Sequence, residues 1–161
     1  MTLSFTSIEL LALDVDGTLT NARTWWQGAD VGWVQSYSVR DGEAILRMTA
    51  RGLPIVPVSA NLTASAKQRM ELLGLPTRWM GVTDKVAAIN EVAQSFNVQH
   101  QHICYVGDGL GDCEVFKHVG LGCAVRDAHP EALRSAHYVT QARGGHHVIE
   151  EVEQLIFHAS R

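Results

Sequence analysis

The sequence predicts a three-layer α/β fold built on a central parallel sheet, and three observations lead there. Short apolar runs alternate with helical patterns from one end of the chain to the other. Those runs are continuously apolar rather than alternating, as suits strands covered by helices on both faces. Finally, no repeat, linker or low-complexity tract divides the 161 residues, so a single domain spanning 1–161 is expected. A chain of this length can bury about two thirds of its unfolded surface, enough for one core.

The elements follow in order. "ELLALD" (9–14) reads as a buried strand, "LPIVPVS" (53–59) as a second and "HICYVGD" (102–108) as a third; "GCAV" (122–125) and "HYVT" (137–140) are shorter candidates. Between them, Asp41 is a candidate cap for "GEAILRMTARG", with Ile45 and Met48 on one side and Gly52 as the stop. Residues 62–73 read as a helix ending at Gly74. In "TDKVAAINEVAQSFN", Val86, Ile89, Ala93 and Phe96 recur at helical spacing. Helices over 110–119 and 146–158 complete a βαβα order, which implies right-handed crossovers. One stretch departs from it. "NARTWWQGADVGWVQSYSV" (21–39) carries three of the four tryptophans and a turn-forming "QGADVG", which predicts a β-hairpin flap. A βα connection of that length points to function.

Composition narrows the class. Hydrophobic residues make up 46% and charged ones 19%, ordinary for a packed core. A net charge of -4 argues against a nucleic-acid footprint, which needs a basic stripe, but not against an anionic substrate, because a metal ion inverts charge locally. Cys104, Cys113 and Cys123 form no CxxC pair and are expected as reduced thiols. No apolar run approaches the ~18 residues that cross a bilayer. The opening "MTLSFTSIE" lacks a basic start and a long apolar core, so no membrane partner and a cytoplasmic location are expected.

The chemistry gathers at strand tips. In parallel sheets, ligands bind outside the carboxyl ends of the strands. Asp14 and Asp16 end the first strand, Ser59 the second and Asp108 the third. Each alone reads equally as a turn or a helix cap; the set reads as one crevice. Several carboxylates there repel unless a cation sits among them, and hard oxygen donors favour Mg²⁺, which commonly shares a phosphate with the protein. One carboxylate can then attack a bound phosphoryl group.

These residues resemble the haloacid dehalogenase superfamily of phosphatases. "DVDGTLT" matches its DxDGT signature, and Ser59, Lys85 and "GDGLGD" (107–112) follow in the order of its remaining motifs. "SYSVRDGEAILRM", "GVTDKVAAINEV", "YVGDGLGDCEVFKHVGLGCAVRDAHPEAL" and "HYVTQARGGHHVIEEV" are similar to a capless subfamily acting on octulosonate 8-phosphate and nonulosonate 9-phosphates, a likeness running from about 9 to 153. The resemblance implies a Rossmann-like fold without a cap domain and a small phosphorylated substrate. It implies Asp14 as nucleophile, Asp16 as general acid and then base, and Mg²⁺ held by Asp14, the Asp16 carbonyl and Asp108. It also implies Ser59, Ala60 and Lys85 around the phosphoryl group, with Asp112 behind them acting through water or Lys85. Subfamily members are typically tetramers whose flaps shape neighbouring pockets, so a homotetramer is expected.

Other positions keep two readings. Arg40 in "VRDG" resembles a position near the substrate, or pairs with Asp41 at the surface. Arg143, His146 and His147 in "ARGGHHV" contact substrate, or cap and pack a helix start. His129 reads as a turn residue. Trp25, Trp26 and Trp33 line a pocket or bury a subunit interface. The chain also departs from the subfamily: "SAN" (59–61) stands where "TGR" is usual, "GDG" where "GDD" is usual, and His146 where an arginine follows "GG". The subfamily's glycine-bearing tail is not expected in a sequence that reads to Arg161. The chemistry is expected to survive these changes, giving an Mg²⁺-dependent phosphomonoesterase of a small sugar-acid phosphate, with another sugar phosphate or small phosphometabolite as the alternative substrate. Related domains fused to other enzymes suggest a further alternative, a non-catalytic oligomerisation module.

Overall fold

The computed structural model describes residues 8–158, so the start of the chain, read above for a targeting signal, and its end at Arg161 lie outside the described residues. Five strands form the main sheet: β1 (Leu10–Leu13), β4 (Ile55–Pro57), β5 (Ile103–Gly107), β6 (Leu121–Ala124) and β7 (Tyr138–Val139). Their order is β4-β1-β5-β6-β7, and every neighbouring pair is parallel. All residues of β1, β4, β5 and β6 are buried, the two-sided cover that continuous apolar runs imply. Each fully buried Leu, Ile or Val among them contributes ~1.5–3 kcal/mol relative to exposure.

Register decides where the chemistry goes. Leu13 lies opposite both Pro57 and Val106, so β4, β1 and β5 end at one level. The Asp14 amide still donates to the Val106 carbonyl at 2.9 Å, and the Val58 amide to Leu13 at 2.7 Å. The residues that follow, Asp14, Ser59 and Asp108, are therefore delivered together at one edge.

Among the described residues, six α-helices cover the sheet: α1 (Val39–Ala50), α2 (Ala64–Leu72), α3 (Lys85–Phe96), α4 (Cys113–His118), α5 (Pro130–Ser135) and α6 (Val148–His158). Several differ from expectation for identifiable reasons. α1 begins at Val39 under a Ser38 cap, whose hydroxyl accepts from the Asp41 amide at 3.2 Å. Asp41 is not that cap: its buried carboxylate accepts instead from the amides of Ile149 and Glu150, at 2.8 and 3.3 Å, and caps α6. α5 was not foreseen, although Pro130 at its first position and His129 as its cap carry a legible helix-start signal. The 110–119 stretch splits into a 3-10 turn, Leu110–Asp112, and the short α4. In α3 the buried face is Ala88, Ile89, Val92 and Ala93; Phe96 stays outside it and packs against Trp79 with ring centroids 6.2 Å apart.

The expected flap is a two-stranded antiparallel hairpin, β2 (Trp25–Trp26) and β3 (Trp33–Val34). Trp26 and Trp33 meet edge to face with centroids 5.6 Å apart. Cys104 and Cys123 are buried free thiols on adjoining strands, 4.0 Å apart at sulfur. No helix among the described residues is long and apolar enough to cross a membrane.

Candidate active site

The site is built on the tip of β1. Asp14 is buried, and one of its oxygens accepts from the Val15 amide at 2.7 Å while the other meets Lys85 Nζ at 3.0 Å. Lys85 reaches it because Asp84 caps α3, accepting from the Ala87 amide at 2.9 Å, so that Lys85 opens the helix toward the sheet edge. The same ammonium lies 2.7 Å from Asp112 Oδ1, which also accepts from the Tyr105 hydroxyl at 2.6 Å. Asp112 Oδ2 accepts from the amides of Asp108 and Gly109 at 2.9 and 2.8 Å.

Carboxylate oxygens of Asp14, Asp108 and Asp112 all lie within 4.8 Å of one another. Their hydrogen bonds separate their roles. Asp112 has four donors on two oxygens and little capacity left for an ion. Asp14 and Asp108 face each other with one ammonium between three acids. Burial raises Asp14 to about 6 although Lys85 opposes the rise, with Asp112 adding to it. Burial, then the charges of Asp14 and Asp112, push Asp108 up to about 8. Burial draws the Lys85 proton affinity down, but Asp14 and Asp112 outweigh it and the net shift is upward. Two hard oxygen donors short of positive charge, with a saturated third acid behind them, fit a divalent cation such as Mg²⁺.

Backbone shape is specific here too. Gly17 turns with φ +83°, and a Cβ on it would lie 2.0 Å from Asp108 Oδ2. Gly144 presses on the same turn: a Cβ there would sit 1.8 Å from the Gly17 carbonyl, and the Gly145 amide donates to Thr18 at 2.8 Å. The "ARGGHH" loop thus braces the turn after β1. Its side chains divide: Arg143 is exposed, His146 Nδ1 returns to the Gly144 carbonyl at 2.8 Å, and His147 Nδ1 lies 3.1 Å from Ser38 Oγ.

The other expected residues separate in the same way. Ser59 is buried, with its main chain bonded to Trp79, Gly81 and Val82; its hydroxyl accepts from the Asn61 amide at 3.2 Å, which leaves its proton free to donate. Ala60 is exposed beside it. Asp16 keeps its carboxylate outside the acidic cluster, where Gln35 Nε2 and Asn61 Nδ2 both donate to Oδ1, at 2.5 and 2.8 Å. Arg40 pairs with Glu150 at 2.5 Å and not with Asp41, whose carboxylate is turned into α6. His129 caps α5, and its amide donates to the Asp108 carbonyl at 2.7 Å. Sequence reasoning missed three polar partners: Gln35, the Asn61 carboxamide and the Tyr105 hydroxyl. Only Tyr105 had a visible signal, a polar tip inside an otherwise apolar strand.

Known proteins share much of this sequence and its fold. Residues 80–150 match the haloacid dehalogenase-like hydrolase family. The 3-deoxy-D-manno-octulosonate 8-phosphate phosphatase of Yersinia pestis is 33% identical over 152 residues, covering 93% of this chain and 80% of the relative. The crystal structure of the Yersinia pestis phosphatase superposes with a TM-score of 0.90 at 32% identity, over 94% of this chain and 82% of that one. The Moraxella catarrhalis phosphatase, solved with magnesium, phosphate and KDO, shares the fold at a TM-score of 0.89 and 24% identity, covering 94% of this chain and 87% of that one. With a third of its residues shared along nearly its whole length, the chain belongs to the haloacid dehalogenase-like hydrolases and is a phosphoric monoester hydrolase.

Proposed function

We propose that the chain is an Mg²⁺-dependent phosphomonoesterase that cleaves a small sugar-acid phosphate, of the octulosonate 8-phosphate or nonulosonate 9-phosphate kind, through an aspartyl-phosphate on Asp14. The observation that carries the reading is the cluster of buried Asp14 and Asp112 with half-buried Asp108, in which one ammonium, Lys85, pairs with Asp14 and Asp112. The relatives named for octulosonate 8-phosphate support the substrate class.

Asp14 attacks phosphorus with one carboxylate oxygen, and the phosphorus bond to the leaving sugar oxygen breaks. Asp16, as general acid, gives a proton to that oxygen. Phosphoryl transfer needs alignment and charge neutralisation more than covalent help. Lys85 offsets negative charge on Asp14 and the phosphoryl group, while Ser59 donates to a phosphoryl oxygen and Ala60 forms the adjoining wall. Asp16, now a carboxylate, takes a proton from water as that water attacks the aspartyl-phosphate, releasing phosphate and restoring Asp14. Asp14, Asp108 and the Asp16 carbonyl would hold Mg²⁺, which when bound supplies positive charge to the phosphoryl oxygens; Asp112 holds Lys85 and the Asp108 backbone in place.

A second reading keeps this chemistry and changes the substrate to another small phosphometabolite. The observation favouring it is Asn61, whose carboxamide binds Asp16 where an arginine is usual in the subfamily. Arg143, exposed, and Arg40, exposed but paired with Glu150, are the side chains proposed to meet the substrate's distal end. Half-exposed tryptophans on the flap favour a homotetramer in which neighbouring chains complete each pocket. The test is hydrolysis of p-nitrophenyl phosphate with and without Mg²⁺. Asp14→Asn is expected to lose at least ~1,000-fold in kcat/KM; a variant within tenfold of the parent would refute the nucleophile. A panel of phosphorylated sugar acids and other sugar phosphates then separates the two substrate readings.

A further inference from the structure

Two carboxamides converge on the acid the mechanism depends on: Gln35 lies outside the family's motifs, and Asn61 stands where an arginine is usual in the subfamily. Gln35 follows β3 in the flap, and Asn61 follows β4. Both donate to the same oxygen of Asp16, Oδ1. Their orientation is fixed by their other atoms. Asn61 Oδ1 accepts from the Thr63 amide at 2.8 Å and from the Thr63 hydroxyl at 2.7 Å, so Nδ2 must face Asp16. Gln35 Oε1 accepts from Asn61 Nδ2 at 3.1 Å and from the Tyr37 hydroxyl at 3.3 Å, which turns its Nε2 to Asp16. Swapping the nitrogen and oxygen of either amide would set like groups against each other, so the network admits one arrangement.

We infer that Gln35 and Asn61 are positioning residues that clamp Asp16 by one oxygen and so dedicate the other, Oδ2, to carrying the proton to the leaving group. The inference rests on the reading of Asp16 as general acid. Proton transfer to a departing oxygen demands a fixed donor, and general acid catalysis is worth ~100- to 10,000-fold when the donor is placed correctly. A carboxylate free to rotate about its side-chain bonds spends most of its time misdirected. Both clamping groups are neutral, so they hold the side chain without the charge that an arginine or lysine would bring beside a proton donor. One clamp comes from the scaffold and the other from the flap. Anything that moves the flap therefore also moves a bond to the acid, and this ties the hairpin to the residue that expels the leaving group.

Leaving-group dependence tests this, because the proton matters little for a good leaving group and much for a poor one. The readout is kcat/KM for p-nitrophenyl phosphate divided by kcat/KM for phenyl phosphate; both values report the phosphorus–oxygen cleavage that forms the phosphoenzyme. Asp16→Asn sets the scale and should raise the ratio by ~100-fold or more. Gln35→Leu and Asn61→Leu should each raise it by ~10-fold, and the double variant should approach the Asp16→Asn value. Gln35→Glu, which keeps the length of the side chain but replaces the donor with an acceptor, should raise it as Gln35→Leu does. A ratio unchanged in the Gln35 and Asn61 variants, against a raised one in Asp16→Asn, would overturn the clamp and leave the acid standing. A ratio unchanged in Asp16→Asn would instead remove the acid assignment beneath it. Circular dichroism of each variant checks folding, and because a ratio is compared, a uniform loss of active enzyme cancels.

Discussion

At Gly17 the chain turns with φ +83°, a conformation that costs a residue with a Cβ ~1–2 kcal/mol, and the added atom would also meet Asp108 Oδ2 at 2.0 Å. Gly17→Ala is therefore expected to fold but to displace Asp108, cutting Mg²⁺-dependent hydrolysis by ~100-fold or more; a variant with the parent's magnesium activation curve would refute this. The same crowding of acids makes a prediction about pH. Asp14 rises from 3.8 to about 6, and Asp108 from 3.8 to about 8, in both cases mainly by burial. Between those limits the folded, ion-free chain holds more protons than the unfolded one, so the pair's contribution to stability falls as pH rises. A divalent ion must displace those protons to bind, and it relieves repulsion only once they are gone. Magnesium should accordingly raise the melting temperature by several degrees at about pH 8.5 and by much less at about pH 5.5. An equal rise at both values would show that protons and metal do not compete there. At this scale the sequence disclosed the acids and the lysine, because their spacing within the chain is itself the signal. It did not disclose Gln35, which acts on Asp16 from 19 residues away through a hairpin whose geometry only folding sets.

Among the elements, the strands were legible because each inner strand is apolar along its whole length, and the breaks fall where polar residues begin. Helix ends were read less well, since a capping residue can serve a helix other than its own. Asp41 shows this: Ser38 caps α1, which frees the Asp41 carboxylate to accept from Ile149 and Glu150 at the start of α6, more than a hundred residues on. No local pattern reports such a bond. α1 and α6 are also joined by Arg47, whose guanidinium meets the nearly buried Glu153 at 2.6 Å. Asp41→Ala removes the acceptor for two α6 amides in a buried place and should cost ~1–2 kcal/mol of stability. Asp41→Asn keeps an oxygen for those amides and removes a charge that burial already disfavours, since burial raises the Asp41 pKa above its ordinary value. Urea denaturation of the two variants should place Asn near the parent and Ala clearly below it; equal losses would mean that the charge, not the cap, matters.

For the molecule as a whole, the flap is the part a lone chain does not account for. Trp25, Trp26 and Trp33 remain 48%, 56% and 52% exposed, and Val31 beside them is 57% exposed. A tryptophan buries ~150–250 Å² in all, and about half of each of these three is still open to a partner, so the hairpin presents more apolar surface than isolated exposed residues on a monomer usually do. Its two strands are two residues each, too short to hold a fixed shape in water without packing elsewhere. Both facts are met if copies of the chain cover one another's hairpins. Sedimentation of the parent should then give a particle larger than one chain. Trp26→Ser with Trp33→Ser, which also removes the edge-to-face pair, should shift it toward the monomer. Because Gln35 lies one residue beyond β3, loosening the hairpin should also weaken its bond to Asp16. The dissociated variant is therefore expected to lose more activity on phenyl phosphate than on p-nitrophenyl phosphate. A variant that becomes monomeric while keeping the parent's ratio between these esters would show that assembly and acid placement are independent.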